Sequence, residues 1–296
     1  MRRSDTFRKV LREAKERRGV ALVGILNVTP DSFSDGGAFY SKESAREHVL
    51  RLLEEGADIV DIGAESTRPG AQPVPARDQL DRLLEVVAFA SERACVSVDT
   101  TSPEVASATL LAGASAINDV SCLRDDGLAQ VVASHAAALV LMHARGTQTD
   151  MAGFSTYPDH GYRDVVSEVV SEWEHAAQRA ASRGVPREAL VMDPGLGFAK
   201  NARQSAEILE RLPSVVRAVG VPVLVGASRK SFLKLVDAGA SPKERLGSSI
   251  AAALHSVRAG ASAVRVHDVR ATRQAVDLER LLGGAAAREQ GASAHA

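Results

Sequence analysis

About eight apolar runs, rich in branched side chains, recur along this chain, and each stops at a polar residue. VALVGILN stops at Asn27, ADIVDIG carries Asp61, and CVSVD stops at Asp99. ASAIND ends on Asn118 and Asp119, AALVLMH on His143, and ALVMD on Asp193. VPVLVGASRK runs to Lys230, and SAVRVHD carries Arg265, His267 and Asp268. A β-branched run with a charged or amide tip reads as a parallel strand buried on both faces, its carboxyl end at a site. Repeated along the whole chain, the pattern predicts an α/β fold: a (β/α)8 TIM barrel whose strand tips share one pocket. A doubly wound open sheet has the same local pattern. It concentrates ligand groups at one switch point, whereas here polar tips run from the first strand to the last.

The intervening stretches read as helices. SPEVASATLLAGA starts with Ser102 as N-cap and Pro103 at the first helical position. NARQSAEILERLPSVVRAVG and SPKERLGSSIAAALHSVRAG each read as a helix, and ATRQAVDLERLL closes the series. Gly56-Ala57, Gly113-Ala114, Gly184-Val185 and Gly260-Ala261 mark helix ends that turn at once into a strand. The boundaries expected are an N-terminal extension over 1–19, a single barrel over 20–283 and a frayed tail over 284–296. The extension, MRRSDTFRKVLREAKERRG, has no apolar stretch for a secretory signal, and its acids count against a transit peptide. A short helix capping the closed end of the barrel is expected there.

With Lys and Arg scattered among Asp and Glu and a formal net charge of −1, a nucleic-acid-binding face is not expected. No apolar run approaches the roughly 20 residues of a membrane span. Cys95 and Cys122 are too few for a disulfide scaffold and read as free thiols in a reducing cytoplasm. The long connections follow strands one, two and five: TPDSFSDGGAFY, STRPGAQPVP and ARGTQTDMAGFSTYPDHG. All lie on the βα side, where barrel enzymes keep their active sites.

Segments of specific sequence coincide with these tips. They are GILNVTPDSFSDGG (24–37), DIGAESTRPGA (61–71), SVDT (97–100), INDVS (117–121), LMHARGT (141–147), DPGLGFAK (193–200), VLVGASRKSF (223–232) and VRVHDV (264–269). In order and spacing the chain resembles the dihydropteroate synthases, pterin-binding barrel enzymes of folate synthesis, over essentially the whole barrel. The resemblance implies condensation of 6-hydroxymethyl-7,8-dihydropterin pyrophosphate with p-aminobenzoate, releasing pyrophosphate by a dissociative substitution.

It also implies roles for named residues. Asp99, Asn118, Met142, Asp193 and Lys230 match the family's pterin positions. Asn27, Thr67, Arg68, Arg265 and His267 match its pyrophosphate contacts, with Asn27 helping to hold Mg²⁺. Phe33, Thr67, Pro69, Phe198, Lys230 and Ser231 match the p-aminobenzoate site. Ser231 is placed where the following helix begins, so that its amides help bind a carboxylate. Asp35, Asp99, Lys230 and Arg265 are the candidates for direct participation in catalysis; Asp35 reads equally as a turn residue. His143 and Asp61 have only a structural reading. Ala64 and Leu196 depart from the family's usual residues and are expected to adjust the shape of the pocket. The resemblance further implies a cytoplasmic homodimer, through the late helices.

Two other readings stay open on sequence. A corrinoid-linked methyltetrahydrofolate methyltransferase shares the pterin barrel, but TPDSFSDGG, STRPGA and SRKS favour the synthase. A non-catalytic pterin-binding paralogue should have lost Lys230, Arg68, Arg265 or His267, and all are present.

Overall fold

The computed structural model describes residues 2–28, 42–65, 74–146 and 157–293, without side chains beyond residue 283. Phe33, Asp35, Thr67, Arg68 and Pro69 lie outside the described residues. Eight strands form one parallel sheet: β1 (Ala21–Asn27), β2 (Ile59–Gly63), β3 (Cys95–Asp99), β4 (Ala116–Asp119), β5 (Ala138–Met142), β6 (Leu190–Asp193), β7 (Leu224–Val225) and β8 (Ala263–Val266). Their order runs β6-β5-β4-β3-β2-β1-β8-β7. A parallel bridge between Met192 and Val223 joins the two ends, with the Met192 N–H donating to Pro222 O at 2.9 Å. The sheet is thereby a barrel, as its apolar runs imply.

Around it lie α2 (Lys42–Glu55), α3 (Ala76–Ser91), α4 (Pro103–Leu111), α5 (Asp126–Ser134), α6 (Val165–Ser182), α7 (Ala202–Glu210), α8 (Leu212–Val219), α9 (Leu246–Arg258) and α10 (Val269–Ser293). The Ser102 side chain caps α4 by accepting from Val105 N. At Gly113, which ends that turn with φ +117°, a Cβ would come within 2.7 Å of Ser91 Cβ. α1 (Arg3–Arg18) lies across the amino-terminal end of the barrel. Its Phe7, Leu11 and Ala14 share an apolar cluster with Ala21, Ile59, Cys95, Ala116, Ala138 and Ala263, all at the starts of strands.

Three stretches differ from the sequence expectation. The segment after Asn201 is two helices, because Pro213 lacks an N–H and its ring displaces the carbonyl a turn earlier. The helix expected from Ser241 begins as a short 3-10 turn, Pro242–Arg245, and becomes α-helical at Leu246. The last helix runs on to Ser293, ten residues beyond the expected boundary at 283. Ala285, Ala286 and Ala287 follow the glycine pair there and favour helix.

Alternation along each strand decides which side chains enter the barrel. Ile59, Asp61 and Gly63 share one parity; Val60, Ile62 and Ala64 pack outward in the main core. In β3 the inward set is Cys95, Ser97 and Asp99, and in β8 it is Ala263, Arg265 and, just past the strand, His267. The interior therefore changes along its axis, from alanine and aliphatic residues at the α1 end to carboxylates, amides and a guanidinium at the other.

Candidate active site

Register places the inward tips side by side. Asn27 pairs with Gly63, Gly63 with Asp99, Asp99 with Asn118, and Met142 with Asp193. Gly63 leaves room between two of them, since a Cβ there would lie 3.3 Å from Asp99 Cβ and 3.8 Å from Asn27 Oδ1. On the far side, a Cβ on Gly226 would lie 3.8 Å from Asp193 Oδ2, 3.9 Å from Arg265 Cβ and 4.0 Å from Lys230 Nζ. The structure thus brings Asp193, Lys230 and Arg265 around one point at the barrel mouth.

A network missed in the sequence holds these groups. Asp61, 1% exposed, accepts from Ser97 Oγ, from Asn118 Nδ2 at 3.2 Å and from Arg265 Nε at 2.6 Å. A second Arg265 nitrogen donates to Asp99 Oδ2 at 3.1 Å. Arg265 is therefore fixed between two carboxylates. A guanidinium has five N–H donors, so it keeps others for a ligand. Burial disfavours its charge, but Asp61 and Asp99 outweigh that and hold its pKa above the ordinary value. Burial pushes the Asp99 carboxyl up to about 7, with Arg265 opposing and Asp61 adding to the rise. Asp61 was legible as a functional candidate by one signal: it stands two residues before Gly63 and shares the parity of the inward tips.

Two acceptors face the cavity. Asn118 Oδ1 is buried with no hydrogen-bond partner. Asp193 Oδ1 accepts from Gly195 N at 2.7 Å, and Oδ2 is the atom above Gly226. Burial raises the Asp193 pKa, and Lys230 works against that rise. Lys230 donates to Leu196 O at 2.6 Å and sits 4.6 Å from the centre of the Phe198 ring. Burial lowers its pKa to about 8. Met142, Phe198 and Val120 form a small apolar cluster of their own, apart from the main core.

His267 Nδ1 lies 3.0 Å from Ser228 Oγ, which also accepts from the His267 backbone N–H at 3.2 Å. A Ser228 hydroxyl that accepts from the backbone N–H still has its own proton to give to Nδ1, and in that tautomer Nε2 is a donor. Burial, with help from Arg229 and Arg265, lowers the His267 pKa to about 3, so this imidazole is neutral. Arg229, in the left-handed region at φ +59°, pairs with Asp268 at 2.9 Å and turns the chain toward Lys230.

Two expectations are corrected. Ser231 opens a 3-10 turn, Ser231–Leu235, and five residues are too few to supply a helix field. The side chains of Ala64 and Leu196 are fully buried in the main core rather than lining the pocket. Only the Leu196 carbonyl reaches the site, through Lys230. Among the described residues no group of three or more His, Cys, Asp or Glu side chains is arranged to hold a metal.

Fold and site define a (β/α)8 barrel of the enzyme kind, with a polar mouth that offers both hydrogen-bond donors and acceptors. The family of pterin binding enzymes matches residues 23–267 of the chain. The dihydropteroate synthase of Mycobacterium leprae is 45% identical over 271 residues, spanning 89% of this chain and 93% of its own length. A Xanthomonas albilineans dihydropteroate synthase structure with 4-aminobenzoic acid superposes with a TM-score of 0.82 at 41% identity, covering 89% of this chain and 93% of that one. The same organism's enzyme in complex with 7,8-dihydropteroate gives a TM-score of 0.78 at 37% identity over 89% and 94% of the two chains. The chain belongs to the dihydropteroate synthases.

Proposed function

We infer that this chain condenses 6-hydroxymethyl-7,8-dihydropterin pyrophosphate with p-aminobenzoate to give 7,8-dihydropteroate and pyrophosphate. The observation that carries the reading is the convergence of Asp193, Lys230 and Arg265 on Gly226, beside the unpaired Asn118 Oδ1. A pterin offers an amino-pyrimidine edge of N–H donors, and Asp193 Oδ2 and Asn118 Oδ1 are buried acceptors suited to it. Lys230 suits the ring's acceptors, and the Met142–Phe198 cluster suits a flat ring face. A ligand lacking those N–H groups would leave buried acceptors unpaired, which is the basis of discrimination.

In the reaction the methylene C–O bond breaks, and its electron pair leaves on pyrophosphate. The amine lone pair of p-aminobenzoate then forms the C–N bond, and the nitrogen sheds a proton to solvent. Arg265, as a permanent cation, and His267, as a neutral Nε2–H donor, stabilise the departing charge. Asp99 and Asp35 are assigned to the cationic methylene, Asp35 by motif position alone. Thr67, Arg68, Phe33 and Pro69 are assigned in the same way, the first two to pyrophosphate and Phe33, Thr67 and Pro69 to p-aminobenzoate. Phe198, Lys230 and Ser231 complete the latter site.

A Mg²⁺ ion fits this donor set as a singly ligated metal. Asn27 Oδ1 is a hard oxygen at the strand tip beside Asp99, and its amide makes no hydrogen bond among the described residues. Mg²⁺ takes few protein ligands where phosphate oxygens and water supply the rest. When bound, it would neutralise charge on the leaving pyrophosphate.

The reading includes a cytoplasmic homodimer. The free thiols Cys95 and Cys122 support the location, and no described helix is long and apolar enough to cross a membrane. For the dimer, assigned to the late helices, light scattering of the purified chain is the test.

The activity test is pyrophosphate release on mixing the pterin pyrophosphate, p-aminobenzoate and Mg²⁺. Turnover with loss of both substrates is expected. No turnover, with methyl transfer from methyltetrahydrofolate instead, would replace this reading with the methyltransferase.

A further inference from the structure

Behind the barrel wall, close to Asp193 and Lys230, lies a row of ionisable groups that the reaction as described does not use. Lys200 is fully buried. Its Nζ donates to Phe198 O at 2.9 Å and Gly195 O at 3.1 Å, and lies 2.9 Å from His143 Nδ1. Three acceptors meet the three N–H donors of an ammonium group. His143 is also fully buried, and its Nε2 lies 3.0 Å from Glu172 Oε2. Glu172, on α6, is bound in turn by Arg145 at 2.9 Å. No carboxylate touches Lys200; the charge of Asp193 favours its protonated form, and Glu172 is reached through the imidazole. Burial lowers the lysine's pKa to about 7 and the histidine's to about 4, so at neutral pH the imidazole accepts from Lys200 and donates to Glu172.

A buried ammonium is a costly way to fill space, and an aliphatic side chain of similar length would stabilise the core at least as well. What the ammonium does here is hold a backbone. Residues 194–200 make a tight turn after β6, and the carbonyls along it are gripped from both sides. Lys200 holds those of Gly195 and Phe198, and Tyr162 Oη donates to that of Ala199 at 3.0 Å. From the front, Lys230 holds that of Leu196 at 2.6 Å. The turn presses against β5 so closely that a Cβ on Gly195 would fall 2.0 Å from His143 O. Its outward products are the Phe198 ring and the Leu196 carbonyl, and both touch Lys230. Asp193 precedes the turn; its backbone is paired with Met142 in the strand ladder, and its Oδ1 accepts from Gly195 N at 2.7 Å.

We propose that Lys200, oriented by His143 and Glu172, is a positioning residue: it fixes the 195–198 turn and thereby places Phe198 and Lys230 on the p-aminobenzoate side of the pocket. The assignment of that side rests on the function inferred above. The pterin subsite draws on the turn only through Gly195 N and Lys230, while the Asp193 backbone and Asn118 are set by the strand ladder, so it should depend on Lys200 less than the p-aminobenzoate side does.

Lys200→Met tests this, since it keeps the length and apolar stem and removes only the ammonium. The expected result is a KM for p-aminobenzoate raised about tenfold or more, with the Kd for 6-hydroxymethylpterin raised by a clearly smaller factor. Glu172→Gln, which keeps the contact with His143 and removes the charge, should shift the same KM in the same direction by a smaller factor. Emission from Trp173, the single tryptophan, whose Nε1 bonds Leu141 O at 2.9 Å, reports that the barrel is intact. An unchanged KM would overturn the proposal. So would parallel losses in KM and pterin Kd that track urea stability, because that is what a merely structural lysine gives. If Lys200→Met has no activity, or the wild type does not turn over, amide hydrogen exchange of the peptide spanning 194–200 decides the matter on ligand-free protein. Faster exchange in the variant, confined to that peptide, supports the proposal and equal exchange refutes it. Absence of wild-type turnover would refute the function inferred above and leave the exchange result to judge Lys200.

Discussion

Asp61→Asn separates the charge of Asp61 from its shape. An asparagine keeps an oxygen toward Arg265 and Asn118 and can turn its amino group to Ser97 Oγ, which accepts. The geometry survives and only the charge goes. Removing one member of a buried ion pair costs about 3–5 kcal/mol. Here Arg265 retains Asp99 at 3.1 Å, so the loss should be roughly half of that, about 2 kcal/mol. In a chain of this size each kcal/mol lowers Tm by roughly 2–4 °C, so the variant should melt about 4–8 °C lower. Arg265, held from one side only, should also lose its aim. The affinity for the pterin pyrophosphate should fall by a larger factor than that for free hydroxymethylpterin. Thermal unfolding and isothermal titration with both ligands measure the two effects. A Tm within about 1 °C of wild type, with both affinities unchanged, would show that Asp61 does not hold Arg265. Tighter pyrophosphate binding would show that Asp61 merely competes with the ligand for the guanidinium.

Three further outcomes are expected. Gly195→Ala should fail to fold or lose at least about 3 kcal/mol by urea unfolding, since φ is +66° and the new Cβ meets the His143 carbonyl at 2.0 Å. Arg265→Ala should weaken the pyrophosphate ester far more than free hydroxymethylpterin by titration calorimetry, and equal losses would remove it as an anion anchor. The third concerns pH: burial lowers the pKa of His267 to about 3 and those of His48 and His143 to about 4, below the ordinary 6.5. The unfolded chain then binds more protons in that window, so their contribution to stability is complete above 6.5 and is lost as pH falls toward 4. Asp99 and Asp193, raised by burial, act in the opposite sense, so the histidine effect is read as a difference. The urea midpoint of His267→Gln should fall less than that of wild type between these limits; parallel curves would mean that His267 is not buried neutral.

The barrel was legible because both of its signals are local. A run of branched residues is a buried strand wherever it occurs, and a glycine followed at once by such a run is a helix end. The break at Pro213 was missed although its cause is local too, since a proline's effect on the carbonyl a turn earlier needs no tertiary contact. The site was legible as a set of strand tips, but a tip has two faces and the apolar rhythm does not say which one. Parity does. Asp61, Asp99 and Arg265 are in step with the inward residues, while Asp119 and His143 are out of step with them. Asp119 spends its carboxylate on its own loop, accepting from Ser121 N at 3.0 Å and from Leu123 N. What no local signal carries is partnership. Arg265 meets Asp61 across 204 residues of sequence, through register alone. Lys200 has no periodicity to mark it, because it stands in a turn whose shape depends on carbonyl geometry rather than on side-chain pattern.

This division by parity explains how one ring of strand ends can support two kinds of polar group. The inward groups are incompletely paired, with an orphaned Asn118 oxygen and a guanidinium that keeps donors in reserve, so each is available to a ligand. The outward group at β5 is fully paired, with both nitrogens of His143 engaged, and so serves the backbone. The turn after β6 is where the two sets meet. Lys200 holds it from behind and Lys230 from the pocket, and each lysine is bound to the turn's carbonyls rather than directly to a carboxylate. A ligand that draws on Lys230 from the front must therefore work against a loop already fixed from the rear. That preorganisation lowers the cost of ordering the aromatic side of the site when the second substrate arrives.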